Sequence, residues 1–173
     1  MPLALTDSRW NELDGSYGGT GDVVAWLTEA YAQGLSDTRI GDLINEIQHQ
    51  DDTTTAMYAV APHLIQLASG LPAKRKLTLL IHAGMIYAES TSPRAVPCPL
   101  FLKEEFDSTA PQGASALAPL LTQASDFDEF KWGVAALSGF LGHHNFGRLV
   151  SGIDFYKGRF HLACLDEPLP EEE

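Results

Sequence analysis

Basic residues are scarce in this 173-residue chain: 11 Lys and Arg stand against 23 Asp and Glu, a net charge of −12. A surface so acidic repels phosphate and anionic lipid, which argues against nucleic acid and membrane as partners. Cysteine is scarcer still, and Cys98 and Cys164 alone cannot build a disulfide framework. Fully apolar runs last only a few residues, far short of a membrane span. The opening Met-Pro-Leu-Ala-Leu-Thr-Asp lacks the basic start and apolar stretch of a signal peptide, so the chain reads as cytoplasmic. Strand-type alternation is almost missing, and no strand–helix–strand pattern argues for an α/β fold.

What is present is helical periodicity. Val23, Val24, Trp26, Leu27, Ala30 and Tyr31 share one helical face after Asp22, and Gly34 ends that segment. Ser36 or Asp37 caps a second helix, where Ile40, Leu43, Ile44 and Ile47 recur at i, i+3, i+4 and i+7. A third helix is expected over 54–69 despite Pro62, which removes one N–H. The fourth, over 73–89, is apolar almost all round from Leu77 to Ala88 and so belongs in the core, with Leu80 and Ile81 at its centre. Three prolines make 90–99 a connector. Residues 101–106 read as a helical turn and 115–123 as the next helix.

Asp126 or Asp128 then caps a long helix to Leu141, whose main stripe is Phe127, Phe130, Val134, Leu137, Ser138 and Leu141. Gly133 and Gly139 within it suggest close approach to a neighbouring helix. A short amphipathic piece carries Phe146, Leu149, Val150 and Ile153, and a small hairpin fits 155–162. The expected architecture is all-α, a superhelix of stacked antiparallel helix hairpins. One domain spans 1–165, and 166–173 form an acidic tail.

An internal repeat supports the stack. Ala59-Val60-Ala61-Pro62 aligns with Ala116-Leu117-Ala118-Pro119 at an offset of 57. Without a gap, Gln66 then matches Gln123, Lys74 matches Lys131, Leu77 matches Val134 and Leu80 matches Leu137. Pro119, Asp126 and Lys131 resemble the proline, aspartate and basic positions of a HEAT unit, while the first copy lacks the aspartate. The chain thus resembles HEAT and armadillo-type helical-repeat proteins.

A narrower resemblance is to uncharacterised bacterial HEAT-like proteins. Trp10-Asn11-Glu12-Leu13, Tyr17-Gly18 before Asp22-Val23, and Ile47-Gln48-His49-Gln50 carry it, with Ala61-Pro62-His63-Leu64 and Leu141-Gly142-His143. That group follows His-Gln with glycine and tyrosine, where this chain has Asp51-Asp52-Thr53, and it often ends in a cysteine pair, where only Cys164 stands. The resemblance implies a solenoid-like binding protein with no assigned catalytic residues.

The chemistry-bearing residues fit that reading. Six histidines are present, but none forms the i, i+4 pair with a carboxylate that zinc hydrolases use, so no metal or other cofactor is expected. His82 reads as a hydrogen-bonded core histidine. No Gly-x-Ser-x-Gly elbow exists, and Cys98 between two prolines has nothing nearby to lower its pKa. The glycine-rich 15–21 stretch lacks the strand and the Gly-Lys-Ser/Thr ending of a phosphate loop. His49, Gln50, Asp51 and Asp52, following the second helix, form either a polar recognition corner or a C-cap built on the imidazole.

Residues 1–73 hold ten acids against Arg9 and Arg39, a balance of −8. The expected function is therefore non-enzymatic binding of a basic protein, such as a toxin, with Glu46, His49, Gln50, Asp51 and Asp52 at the contact. A small helical metal-dependent hydrolase is the alternative.

Overall fold

The computed structural model describes residues 1–49, 52–156 and 159–162, with side chains over 1–48 and 53–153. The acidic tail expected over 166–173 and residues Gln50 and Asp51 lie outside the described residues. A 3-10 turn at Ser8–Glu12 opens the fold, followed by β1 (Asp14–Gly15) and β2 (Gly18–Gly19). Then come α1 (Gly21–Gln33), α2 (Asp37–Ile47), β3 (Gln48–His49), β4 (Asp52–Thr53), α3 (Ala56–Ala68) and α4 (Ala73–Glu89). The second half holds α5 (Leu100–Leu117), a 3-10 segment at Ala118–Gln123, α6 (Phe127–Phe140) and α7 (His144–Ser151). A hairpin of β5 (Ile153–Tyr156) and β6 (Arg159–Leu162) ends it. The fold is all-α, and among the described residues the strands form three separate two-stranded antiparallel hairpins. Among the described residues no helix is long and apolar enough to cross a membrane.

Local chemistry sets the helix ends. Ser36 caps α2 by accepting from the Arg39 N–H at 3.2 Å. Asp126 caps α6 through the Glu129 N–H at 2.8 Å, and Glu129 reaches back to the Ser125 N–H at 2.6 Å, a reciprocal pair that closes the first turn. Pro62 stands inside α3 without ending it, at the loss of the one hydrogen bond that proline cannot make.

Two helices differ from their sequence patterns, for one reason. α5 runs unbroken from Leu100 to Leu117 through Pro111, where the sequence suggested a turn and a separate later helix. Its buried face past Phe106 is made of Thr109, Gly113 and Ala114, too small to register as an apolar stripe. The Tyr87 hydroxyl lies 2.7 Å from both the Phe106 carbonyl and Thr109 Oγ1, and its ring stacks on Phe106 at 4.0 Å. Gly113 leaves room for the Phe140 ring.

On α6 the buried face is Gly133, Ala135, Ala136, Ser138 and Gly139 with Lys131 and Phe140. Most of the large-residue stripe expected there is turned away from the core: Phe127, Phe130 and Leu141 are exposed and Val134 is half-buried, while Leu137 is half-buried against the core and Ser138 is buried. The repeat alignment has the same limit. Leu77 and Leu80 are buried while their counterparts Val134 and Leu137 are not, and Lys74 is exposed while Lys131 is buried.

α4 is the central element, packed against α3, α5, α6 and α7. Its contact with α6 is nearly backbone to backbone. A Cβ on Gly84 would stand 2.5 Å from the Ala136 carbonyl oxygen, and one on Gly139 would overlap the Gly84 oxygen and lie 2.7 Å from the Ala88 nitrogen. Residue 84 thus faces 136 and residue 88 faces 139, so α4 and α6 run parallel. α7 closes the same seam, with Gly147 beneath the Ala135 carbonyl and Ala88.

The N-terminal segment is clamped through His63 on α3. Its Nε2 is 3.0 Å from the Leu3 carbonyl, which can only accept, so this nitrogen carries the proton. Nδ1 then accepts from the Tyr31 hydroxyl at 2.9 Å, and Trp10 stacks on the ring at 6.0 Å. Burial pushes the imidazole pKa down to about 4.

Two outcomes are expected. Gly139→Ala should destabilise by about 1–3 kcal/mol, because its Cβ meets backbone that must move. Gly41→Ala, at an exposed position of α2 where a Cβ meets nothing, should instead stabilise by about 0.5–1 kcal/mol. Urea denaturation of the two variants reads the contrast. His63 binds its proton more weakly folded than unfolded, so its contribution is complete above the unfolded value near 6.5 and fades as pH falls toward 4. Between pH 7 and pH 4 the wild type should lose about 3 kcal/mol more stability than His63→Gln.

Candidate functional site

The side of α4 turned away from the core carries Thr78, Ile81, His82, Met85 and Glu89, at spacings of three, four and seven. All five are half-buried, while Leu77, Leu79, Leu80, Ala83, Gly84, Ile86, Tyr87 and Ala88 are buried. This stripe is one wall of a cleft of about 600 Å³. Ile44 of α2, Gln48 and Thr53 of the β3–β4 hairpin, Glu129 and Trp132 of α6, and Ser151 of α7 complete it. The α4–α6 seam explains the hollow. Helices that meet through glycine and alanine place their larger side chains beside the contact, and these stand around the gap rather than filling it.

The cleft is apolar in its middle and acidic toward its ends. Ile44, Ile81, Met85 and Trp132 supply the apolar surface. Glu89 is the last residue of α4, whereas Glu129 sits in the first turn of the parallel α6. The stripe from Thr78 to Glu89 covers about 16 Å of helix, so the two carboxylates bracket it. One oxygen of Glu129 is occupied by the Ser125 N–H and hydroxyl, at 2.6 and 2.9 Å. His82 lines this cleft rather than standing hydrogen-bonded in the core, and burial lowers its pKa, which keeps the ring neutral at neutral pH.

The residues expected to meet a partner divide. Glu46 is 8% exposed: its carboxylate accepts from the Tyr17 N–H at 3.2 Å, and its carbonyl accepts from the Ser16 N–H at 2.6 Å. A Cβ on Gly15 would overlap that carboxylate. Glu46 therefore holds the β1–β2 turn rather than facing outward. His49 pairs with Asp52 in the two-stranded β3–β4 ladder, with Gln48 opposite Thr53. This hairpin stands beside the cleft, since both Gln48 and Thr53 line it. Gln50 and Asp51, between its strands, are outside the described residues. At the end of α2 the Gln48 N–H bonds to the Ile44 carbonyl and the Thr54 hydroxyl donates to the Ile47 carbonyl at 2.9 Å; the His49 imidazole expected as a cap lies outside the described side chains.

Sequence reasoning missed Trp132, Met85 and Glu129 as neighbours. Trp132 lies off the apolar stripe of α6 and Glu129 is one acid in the run Asp126, Asp128, Glu129, so neither periodicity nor motif marks them.

Other chemistry is sparse. Cys98 lies in a smaller hollow near the Lys103–Asp107 ion pair (2.8 Å), and burial pushes its thiol up to about 11, leaving it protonated at neutral pH. Among the described residues, no three His, Cys, Asp or Glu side chains gather closely enough to hold a metal ion.

Neighbouring positions on α4 should respond differently to truncation. Leu80 is fully buried and Leu80→Ala should cost about 2–5 kcal/mol. Ile81 faces the cleft, and Ile81→Ala should cost about 1 kcal/mol. Equal losses on thermal or urea denaturation would show that Ile81 is a core residue. Comparison of the chain with family models, with curated proteins and with solved structures finds no match.

Proposed function

We propose that this protein is a non-enzymatic protein-binding module, built as a HEAT- or armadillo-like stack, whose cleft receives a segment of a basic protein. The observation that carries the reading is the cleft itself: apolar side chains bracketed by Glu89 and Glu129. Such a site suits a segment with one apolar side chain to bury and Lys or Arg beside it. Its volume suits a few side chains rather than a folded surface.

Two further features support the reading. α3 packs beside α5 and α4 beside α6, the latter pair parallel, which is how consecutive helix hairpins stack. The acidic excess of residues 1–73 favours encounter with a basic partner. In this picture the acids Asp51 and Asp52, which follow β3 in the sequence, steer approach, while Glu46 holds the β1–β2 turn.

A displayed library of random peptides tests the site without a known partner. Peptides retained by the protein should combine Lys or Arg with a Leu, Ile, Met or Phe. Met85→Arg, which places a cation on the cleft wall, should weaken their binding at least about tenfold. Association should slow as salt shortens the Debye length from about 30 to about 10 Å. Charge reversal of Asp51 and Asp52 should lower the on-rate with little effect on unfolding. Retained peptides that are acidic, or binding indifferent to Met85→Arg, would overturn the reading.

A further inference from the structure

The outward face of α6 is apolar at coiled-coil spacing. Phe130, Val134, Leu137 and Leu141 follow one another at intervals of four, three and four residues, the alternation that keeps a stripe facing a partner helix. Phe130 is 47% exposed and Leu141, at the C-cap, 57%; Val134 is half-buried, and Leu137, half-buried, packs its inner edge on the core. On α7, Phe146 and Leu149 are 53% and 44% exposed. α7 lies against α6 through Gly147 and bonds to α4 through Arg148, whose Nη1 donates to the Ala88 carbonyl at 2.7 Å. Arg148 is about 100° around α7 from Gly147 in one direction, and Phe146 about 100° in the other. Phe146 is therefore on the side away from α4, next to the outer stripe of α6.

We infer that this face pairs with the same face of a second copy of the chain, forming a two-fold dimer through α6 and α7. Charge is the first reason. Two molecules of −12 repel each other over most of their surfaces, yet residues 130–153 contain no Asp or Glu and carry only Lys131 and Arg148. Along 130–153 this face brings no carboxylate of its own to a second copy; Asp126, Asp128 and Glu129 stand at its start.

Area is the second reason. At roughly 200 Å² for a large apolar side chain, the six residues leave roughly 450 Å² of apolar surface open on each copy. Two copies would cover roughly 900 Å², and with the polar rim that accompanies an apolar centre the interface totals roughly 1,500 Å², the size of a stable complex. The spacing supplies the geometry, since two equal stripes pack symmetrically about a two-fold axis. This face is distinct from the cleft, which opens beside α4, so the dimer stands whether or not the cleft binds a basic segment.

Sedimentation velocity over a concentration series up to about 200 μM is the test. The wild type should pass from monomer to dimer, and the dimer should strengthen with added salt, because screening removes repulsion between like-charged copies. A basic peptide in the cleft shows the opposite salt response, so the two processes are separable. Leu141→Glu with Phe146→Glu should weaken dimerisation at least about tenfold, while Leu100→Glu, at an exposed residue that starts α5, should leave it unchanged. Leu141→Gln with Phe146→Gln provides the same test without added charge, and circular dichroism melts establish that each variant is folded. A wild type that stays monomeric throughout the series, or a folded double variant that dimerises like the wild type, would overturn the inference.

Discussion

The near-contact of the α4 and α6 backbones sets the rest of the structure. Gly84 and Ala88 meet Ala136 and Gly139 with no room for another carbon, and Gly147 brings α7 into the same seam. Helices normally pack about 8–10 Å apart on their side chains. Here the absence of side chains lets many weak dispersion contacts form between main chains, and one added methyl must displace backbone rather than a flexible side-chain tip. The seam also sets direction, since the pairing of 84 with 136 and 88 with 139 makes α4 and α6 parallel.

The surfaces follow from that seam. A helix that spends its buried face on glycine and alanine has its larger residues elsewhere. On α6, Trp132 turns to the cleft, and Phe130 and Val134, with Leu141 at the C-cap, turn outward, while Leu137 packs its inner edge on the core. On α4, Leu77 and Leu80 enter the core while Ile81, His82 and Met85 line the cleft. One packing decision thus leaves two apolar surfaces of different shape, a concave one between helices and a flat one along a helix. A concave apolar site suits a short segment and a flat helical face suits another helix.

Acidic residues fall into distinct roles by environment. Asp126 and Glu129 close the start of α6, and Glu46 is buried against the β1–β2 turn. Each is held by backbone N–H groups, the donors that most directly stabilise a carboxylate away from water. Net charge counted along the chain therefore overstates what a partner would meet: Glu46 belongs to the fold, and the 130–153 stretch is free of acids. His63 reaches the same end by the opposite route, staying neutral so that it can donate to Leu3 and accept from Tyr31.

The sequence by itself determined the helical class and the span of α4, and it narrowed each of two helix starts to two capping residues, between which the structure chose Ser36 and Asp126. Those features depend on near-neighbour chemistry and on runs of apolar residues at helical spacing. It did not determine that α5 is continuous through 107–114, nor which side of α6 is buried. A hydrophobic pattern records transfer from water, and Thr109, Gly113, Ala136 and Gly139 contribute little to it. Their contribution comes from shape, which exists only when a second surface arrives: the Phe140 ring on Gly113, the Gly84 backbone on Gly139. The candidate site has the same origin. The helical spacing of Thr78, Ile81, His82, Met85 and Glu89 is written in the chain, but that this side of an apolar helix lines a cleft with Glu129 and Trp132 was decided by tertiary structure, because α6 took the other side through its smallest residues.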